Sequence, residues 1–382
     1  MVSLDIRIAE HDDYDRIKSM WSCCFDDTAA FVDWYFGHIY RPENALCVWE
    51  KGALVSSLQI LPRQLFVRGA FHPTGYVVGV MTLPQYRGRG YAGHMLQASA
   101  ELMNQRDLFL SVLVSDVDPR FYRKFGWEPT HNITEMTMDA AGFRSALTMP
   151  HYPQPVQPAD IPLLQSFYEC YCNAGRHGYF LRDSGIWRNL LADLEMDGGQ
   201  AYLIMNEDTD SPCGYVLQLG DDENEDECGG ENENNELLKL KELVCFDSWD
   251  CSYHGDTQLM GASALPINPP TKSLTKPFLM TRIINLRGLL ENCIVPQASH
   301  DHDHDNDRNQ DHVRHGGPPL SFDVALNAPE LMSVSANTWA ALILGAADNE
   351  LYQATMQRLG NPLRDRIARL FPAADNYACE LF

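Results

Sequence analysis

The chain has 382 residues, 45% of them hydrophobic, and a formal net charge of -23. That length suggests two or three domains with substantial cores, and that charge disfavours nucleic acid as a partner. It suits a cationic substrate, although a solvated acidic surface is the commoner explanation, and about half of the excess sits in two tracts, the acidic Asn-rich run 221–236 and the His/Asp run 300–315. Eleven cysteines, an odd count without a C-x-x-C, indicate neither a disulfide framework nor a zinc ribbon. The start Met1-Val2-Ser3-Leu4-Asp5 has no basic-then-apolar leader, and the longest apolar run, Trp339 to Ala347, is too short to span a bilayer. The expectation is a reducing, cytoplasmic protein that inserts into no membrane.

In chain order, Leu4 to Ala9 alternates as a strand, and Asp12 or Asp13 is placed to cap a helix with Ile17, Met20 and Trp21 on one face. Asp27 is placed to cap a second helix carrying Phe31, Trp34 and Tyr35. Two strands follow, Ala45 to Trp49 and Leu54 to Val67, divided by the turn signal Lys51-Gly52. Tyr76 to Met81 is a short apolar run rich in β-branched residues and reads as a buried strand. Ala92, Met95, Leu96, Leu102 and Met103 then recur at helical spacing. Leu108 to Val114 predicts another buried strand and Ile133 to Met138 a last one. Between them, Pro119 to Phe125 predicts a short helix ended by Gly126. The predicted order is βααβββαβαβ, an α/β unit.

Residues 149–160 hold four prolines between Met149 and Pro158 and read as an extended linker. A second α/β segment, 161–276, is predicted with helices near Leu163 to Tyr171 and Ile186 to Leu194. Its strands are predicted near Ala201 to Met205 and Gly214 to Leu219, and the acidic tract 221–236 interrupts it. A third segment, 277–382, is interrupted by the His/Asp tract 299–315.

The stretch between the 76–81 strand and its following helix carries the chemistry. Gly88, Arg89, Gly90, Tyr91, Ala92 and Gly93 place glycines where backbone must approach a ligand closely, at N–H groups that attract anions. Arg87 and Arg89 add charge-assisted bonds to phosphate oxygens. No acidic residue is placed for a dinucleotide ribose and no Gly-Lys-Ser/Thr follows, so neither a Rossmann nor a Walker site fits. The two overlapping frames, Gln85-x-x-Gly88-x-Gly90 and Arg87-x-x-Gly90-x-Ala92, resemble the Gln/Arg-x-x-Gly-x-Gly/Ala motif of the GNAT N-acetyltransferase superfamily. That resemblance implies a GNAT fold, a mixed central sheet flanked by helices, with acetyl-CoA as cosubstrate and no metal. It also implies that backbone N–H groups at Val80, Met81 and Thr82 polarise the thioester carbonyl.

The run Asp118-Pro-Arg-Phe-Tyr122-Arg-Lys-Phe-Gly-Trp127 places a tyrosine early in a short helix. Many GNAT enzymes keep a proton donor to the departing thiolate there, and a phenol of ordinary pKa near 10 is protonated for that task. A core aromatic beside the cofactor groove is the other reading of Tyr122. Three passages, Met280-Thr-Arg-Ile-Ile-Asn-Leu286, Trp339-Ala-Ala-Leu-Ile-Leu-Gly345 and Asp375-Asn-Tyr-Ala-Cys-Glu-Leu-Phe382, with the three-segment order, resemble the Eis (enhanced intracellular survival) acetyltransferases.

The Eis resemblance implies a second GNAT-like domain, a sterol-carrier-like third domain and a homohexamer. It implies Tyr122 as proton donor and the C-terminal carboxylate of Phe382 as proton acceptor. A fixed carboxylate can take an ammonium proton if burial, or a neighbour such as Glu380, makes it more basic. Aminoglycosides, polyamines or protein lysines are the implied acceptors. The segment Asp116 to Phe121 departs from the glycine-rich Eis form and looks more like the Pro-Arg-Phe-Tyr form of other GNAT enzymes. That departure puts Ser115 and Asp116 in doubt as cofactor contacts. Asp26, Asp27 and Asp33 either attract an amine or form a capping, solvated face. Two rival classes remain: a non-catalytic CoA or lipid/acyl-binding protein, and metal storage through the His/Asp tract.

Overall fold

The computed structural model describes residues 4–114, 118–139, 150–173, 178–220, 237–246 and 272–285, with residues 289, 343, 344, 354 and 357. The first strand, β1 (Asp5–Ile8), pairs antiparallel with β2 (Ala45–Glu50), a run of buried apolar residues. β2 in turn pairs with β3 (Ala53–Val67), and β3 forms a long hairpin with β4 (Ala70–Thr82). The hairpin turns at Arg68 and Gly69, both at positive φ (48° and 86°), the geometry that matches the right-handed twist of paired strands. The predicted strand 76–81 is therefore only the second half of β4. Its first half contains Pro73 and Gly75, which break the strand pattern. Gly75 is needed there because a Cβ would stand 2.4 Å from the Met103 sulfur packed above it.

α1 (Tyr14–Cys24) and α2 (Ala29–His38) cover one face of this sheet with Ile17, Met20, Trp21, Val32, Tyr35 and Phe36. α3 (Tyr91–Gln105) covers the other, setting Met95, Leu96 and Met103 against Leu58, Ile60 and Val77. Neighbouring β3 residues divide between the two layers as a pleated strand requires: Leu58 and Ile60 face α3, Leu61 and Leu65 face α1 and α2. Two capping expectations are corrected. Thr28, not Asp27, caps α2, its Oγ1 accepting from the Phe31 N–H at 3.2 Å. Asp13 occupies the N-cap of α1 without capping it, because its carboxylate instead binds Arg7 at 2.8 Å and the Glu10 N–H at 2.9 Å.

Beyond β4 the order is β5 (Leu110–Val114), β12 (Lys272–Ile283), β6 (Glu128–Asp139), β11 (Leu237–Cys245), β10 (Ser211–Gln218), β9 (Gln200–Asn206) and β7 (His151–Pro155). A short β8 (Tyr179–Phe180) pairs with β3. The β4–β5 pair is parallel and the other described pairs are antiparallel, so the sheet is mixed. Two expected boundaries meet this sheet directly. The stretch expected to be a linker contributes β7, hydrogen-bonded to β9, and the expected boundary at 276/277 falls inside β12. α5 (Ile161–Asn173) and α6 (Ser184–Met196) cover the second half with Phe167, Tyr168, Trp187 and Leu190. A buried Arg182–Glu242 pair at 2.8 Å ties β11 beneath them. Leu289, Ile343 and Leu344 join the α1/α2 core, and the Ile343 carbonyl accepts from buried Arg68 at 2.9 Å. Among the described residues no helix is long and apolar enough to cross a membrane.

His72, on β4 far from the cradle, is fully buried. Its Nε2–H donates to the Val67 carbonyl at 3.0 Å, while Nδ1 has no partner among the described residues. Burial holds its pKa below the ordinary 6.5, outweighing the opposing bond to Val67. The folded protein therefore stays neutral at His72 where the unfolded chain takes a proton. The resulting stability is fully present above about pH 6.5 and declines as pH falls below it, by up to about 1.4 kcal/mol per pH unit. Thermal melts across this range should show that slope in the parent and a shallower one in His72→Gln.

Candidate active site

The cradle begins where β4 ends. Pro84–Tyr86 forms a single 3-10 turn, and Gly88 and Gly90 follow at φ 77° and 85°, values an L side chain rarely adopts. Gly90 is the N-cap of α3 and offers no side-chain cap, so the first N–H groups of a 15-residue helix are left for a ligand. Gly93 has a packing role. A Cβ there would stand 2.8 Å from the ring of Phe125, so α3's first turn lies against the turn that follows the Tyr122 helix. Tyr91 is buried in the apolar layer under α3, which leaves its backbone rather than its phenol for the cradle. Burial, with the Glu50 carboxylate beside it, raises that phenol above its ordinary pKa.

The two arginines are held from within the loop. Arg87 donates Nε to the Thr82 carbonyl at 3.1 Å, and Arg89 donates to the Gln85 carbonyl at 3.1 Å while facing Glu50 at 4.0 Å. Both are exposed, so these bonds orient the guanidinium groups without removing them from solvent. Cys24 also donates to the Thr82 carbonyl, at 3.6 Å. Burial pushes the Cys24 thiol above its ordinary pKa against the opposing pull of Arg87, which leaves it a poor nucleophile.

β4 carries a bulge: Ser57 pairs with Met81 and Gln59 with Val78, so Gly79 and Val80 together oppose Leu58. Gly79 has φ 59°. Close by, the sheet splits. The β4–β5 ladder stops at Tyr76–Val112, although β4 continues to Thr82 and β5 to Val114. β5 instead stays with β12 to its end, Val114 pairing with Leu279. Val80, Met81 and Thr82 therefore lie past the point of divergence, on the arm that leads into the cradle.

The other arm leads to α4 (Arg120–Arg123), which carries Tyr122. Because β4 and β5 are parallel, the cradle and α4 leave from the same end of the sheet. Tyr122 is buried in the cluster of Tyr91, Met95, Leu113 and Trp127, with its ring 5.0 Å from Phe121. The turn after α4 closes at Gly126, φ 94°. Arg282 of β12 donates to the Phe125 carbonyl at 2.6 Å and lies 4.9 Å over the Trp127 ring. No local sequence signal marks this arginine, which reaches the turn after α4 from 157 positions away. Arg282→Met should destabilise the protein by about 1.5–3 kcal/mol in denaturant titrations. Arg282→Lys should recover little of that, because lysine lacks the planar fork that stacks and donates together.

Phe382, Ser115 and Asp116 lie outside the described residues, as does the His/Asp tract. Among the described residues no group of three or more His, Cys, Asp or Glu side chains gathers to hold a metal. Asp33 pairs with Lys18 at 2.7 Å, and Asp27 accepts from the Trp21 indole at 2.7 Å. Those bonds, the Gly79 bulge and the Arg282 contact are the parts of the site the sequence did not disclose.

Residues 5–130 match the family model described as an acetyltransferase (GNAT) domain. Over its whole length the chain is similar in fold to a GCN5-related N-acetyltransferase from Anabaena variabilis, with 16% identity, 100% of both chains covered and a TM-score of 0.69. A GCN5-related N-acetyltransferase from Kribbella flavida gives 15% identity, 100% of both chains and a TM-score of 0.66. Eis1 from Mycobacterium abscessus gives 15% identity, 99% of this chain and 100% of that one, and a TM-score of 0.64. Residues 5–130 are a GNAT acetyltransferase domain, and through that domain the chain is an acetyltransferase; the solved structures, at 15–16% identity, show the fold. That class implies acyl transfer from acetyl-CoA, for which the split sheet and uncapped α3 terminus provide a fitting seat.

Proposed function

We propose that this chain is an Eis-like N-acetyltransferase that moves the acetyl group of acetyl-CoA directly to a primary amine within a ternary complex. The observation that carries this reading is the divergence of β4 and β5 next to the Gly79–Val80 bulge, with an uncapped helix N-terminus at the end of one arm. Gly88 to Gly93 hold the cofactor's phosphates, and N–H groups at Val80 to Thr82 polarise the acyl carbonyl. Tyr122 returns a proton to sulfur, and the Phe382 carboxylate takes one from the amine. The raised Cys24 thiol favours direct transfer over an acyl-cysteine relay.

Aminoglycosides, polyamines and protein lysines are the acceptor candidates, and a cytoplasmic homohexamer with a sterol-carrier-like third domain is the expected assembly. The packing of Ile343 and Leu344 into the α1/α2 core supports a C-terminal segment that reaches the catalytic unit. The test is calorimetry with acetyl-CoA, followed by an amine panel read by CoA release. Binding of acetyl-CoA and turnover with one amine class is the expected result. Binding of fatty acyl ligands without CoA would replace this reading with the lipid-carrier one.

A further inference from the structure

The α1 helix touches β4 at the residue where the strand bulges. A Cβ on Gly79 would stand 2.4 Å from Cζ3 of Trp21, 3.1 Å from Cη2 and 3.2 Å from Cε3. The benzo edge of the indole therefore lies directly on the bulge backbone. The pyrrole edge points the other way, and Nε1 donates to Oδ2 of Asp27 at 2.7 Å. Trp21 is buried and stacked on Tyr35, with ring centroids 4.6 Å apart. Asp27 is exposed in the loop between α1 and α2, where Thr28 already does the capping. The indole is thus a rigid spacer, one edge on the strand and the other fixed by a carboxylate.

We propose that Trp21 and Asp27 form a positioning pair that holds the Gly79–Val80 bulge in the orientation acyl transfer requires. The proposal rests on the reading that N–H groups at Val80 to Thr82 meet the acyl carbonyl. Tyr35 stacking fixes the plane of the indole and Phe25 and Phe36, with centroids at 4.9 and 5.8 Å, flank it; the bond to Asp27 adds the polar restraint that holds the Nε1 edge. A shift at the ring's far edge is passed to Gly79, which has no side chain to take it up. The required group on Asp27 is an acceptor oxygen, not a negative charge. That distinguishes this role from attraction of a cationic substrate.

Asp27→Ala should lower kcat about tenfold, with KM for acetyl-CoA and for the amine nearly unchanged. Asp27→Asn keeps an acceptor for the indole and should restore most of the rate. Trp21→Phe should resemble Asp27→Ala, and the double variant should be no slower than either single one. In the free protein, the Val80 amide resonance should move in Asp27→Ala and return in Asp27→Asn, whether or not the parent acetylates an amine. An Asn variant as damaged as the Ala variant, with a raised KM for the amine, would assign Asp27 to charge attraction and overturn the proposal. A Val80 resonance indifferent to Asp27→Ala would overturn it as well. Failure of the parent to turn over, with the Val80 response intact, would instead remove the acetyl-transfer reading.

Discussion

Tyr122→Phe should lower kcat by about a hundredfold or more while leaving KM for acetyl-CoA close to the parent's. The ring would remain in the Tyr91, Met95 and Trp127 cluster, so the substitution removes a hydroxyl and little packing. Expulsion of a thiolate is aided by a proton at sulfur, and the phenol is proposed to supply it from the arm opposite the cradle. A loss confined to kcat in steady-state assays would fit an interaction made only in the transition state. An unchanged kcat would make Tyr122 a core aromatic and leave proton return to solvent.

The second large effect concerns the chain end. A short extension beyond Phe382 should reduce kcat by about a hundredfold, and so should deletion of Phe382. Deletion leaves a carboxylate but moves it by one residue, about 3.5 Å, which exceeds hydrogen-bond reach. Acetyl-CoA affinity by calorimetry should hold in both variants, because the proposed phosphate cradle is residues 88–93. Full activity in the extended protein would exclude the terminal carboxylate from the mechanism.

The glycine loop and the start of α3 were legible because their demands are local. Two glycines at positive φ and a helix start must be contiguous in the chain, so the pattern from Gly88 to Gly93 survives as a motif. The buried strands Ala45 to Trp49 and Leu108 to Val114 were legible for a similar reason, as apolar runs, the second broken only by Ser111. What the sequence concealed depends on distant pairing. The first half of β4 carries Pro73 and Gly75, and only Met103 on another element explains why glycine belongs there. The Gly79 bulge is defined by a register against β3, and the Trp21–Asp27 bond by two residues that separately read as core and cap. Arg282 lies in a passage that resembled a family feature, yet its contacts are with Phe125 and Trp127.

β12 has a consequence for how the protein is made. The strand from residues 272–283 separates β5 from β6, which are neighbours in sequence but never touch in the described ladders. During translation, the N-terminal unit therefore emerges with two sheet edges unpaired. They stay so until more than a hundred further residues have been synthesised, several seconds at about 5–20 residues per second. Exposed edges of that kind invite mispairing with other nascent chains. The strand that closes the sheet also delivers Arg282 to the turn after α4, so closure of the sheet and bracing of that turn coincide in one late event.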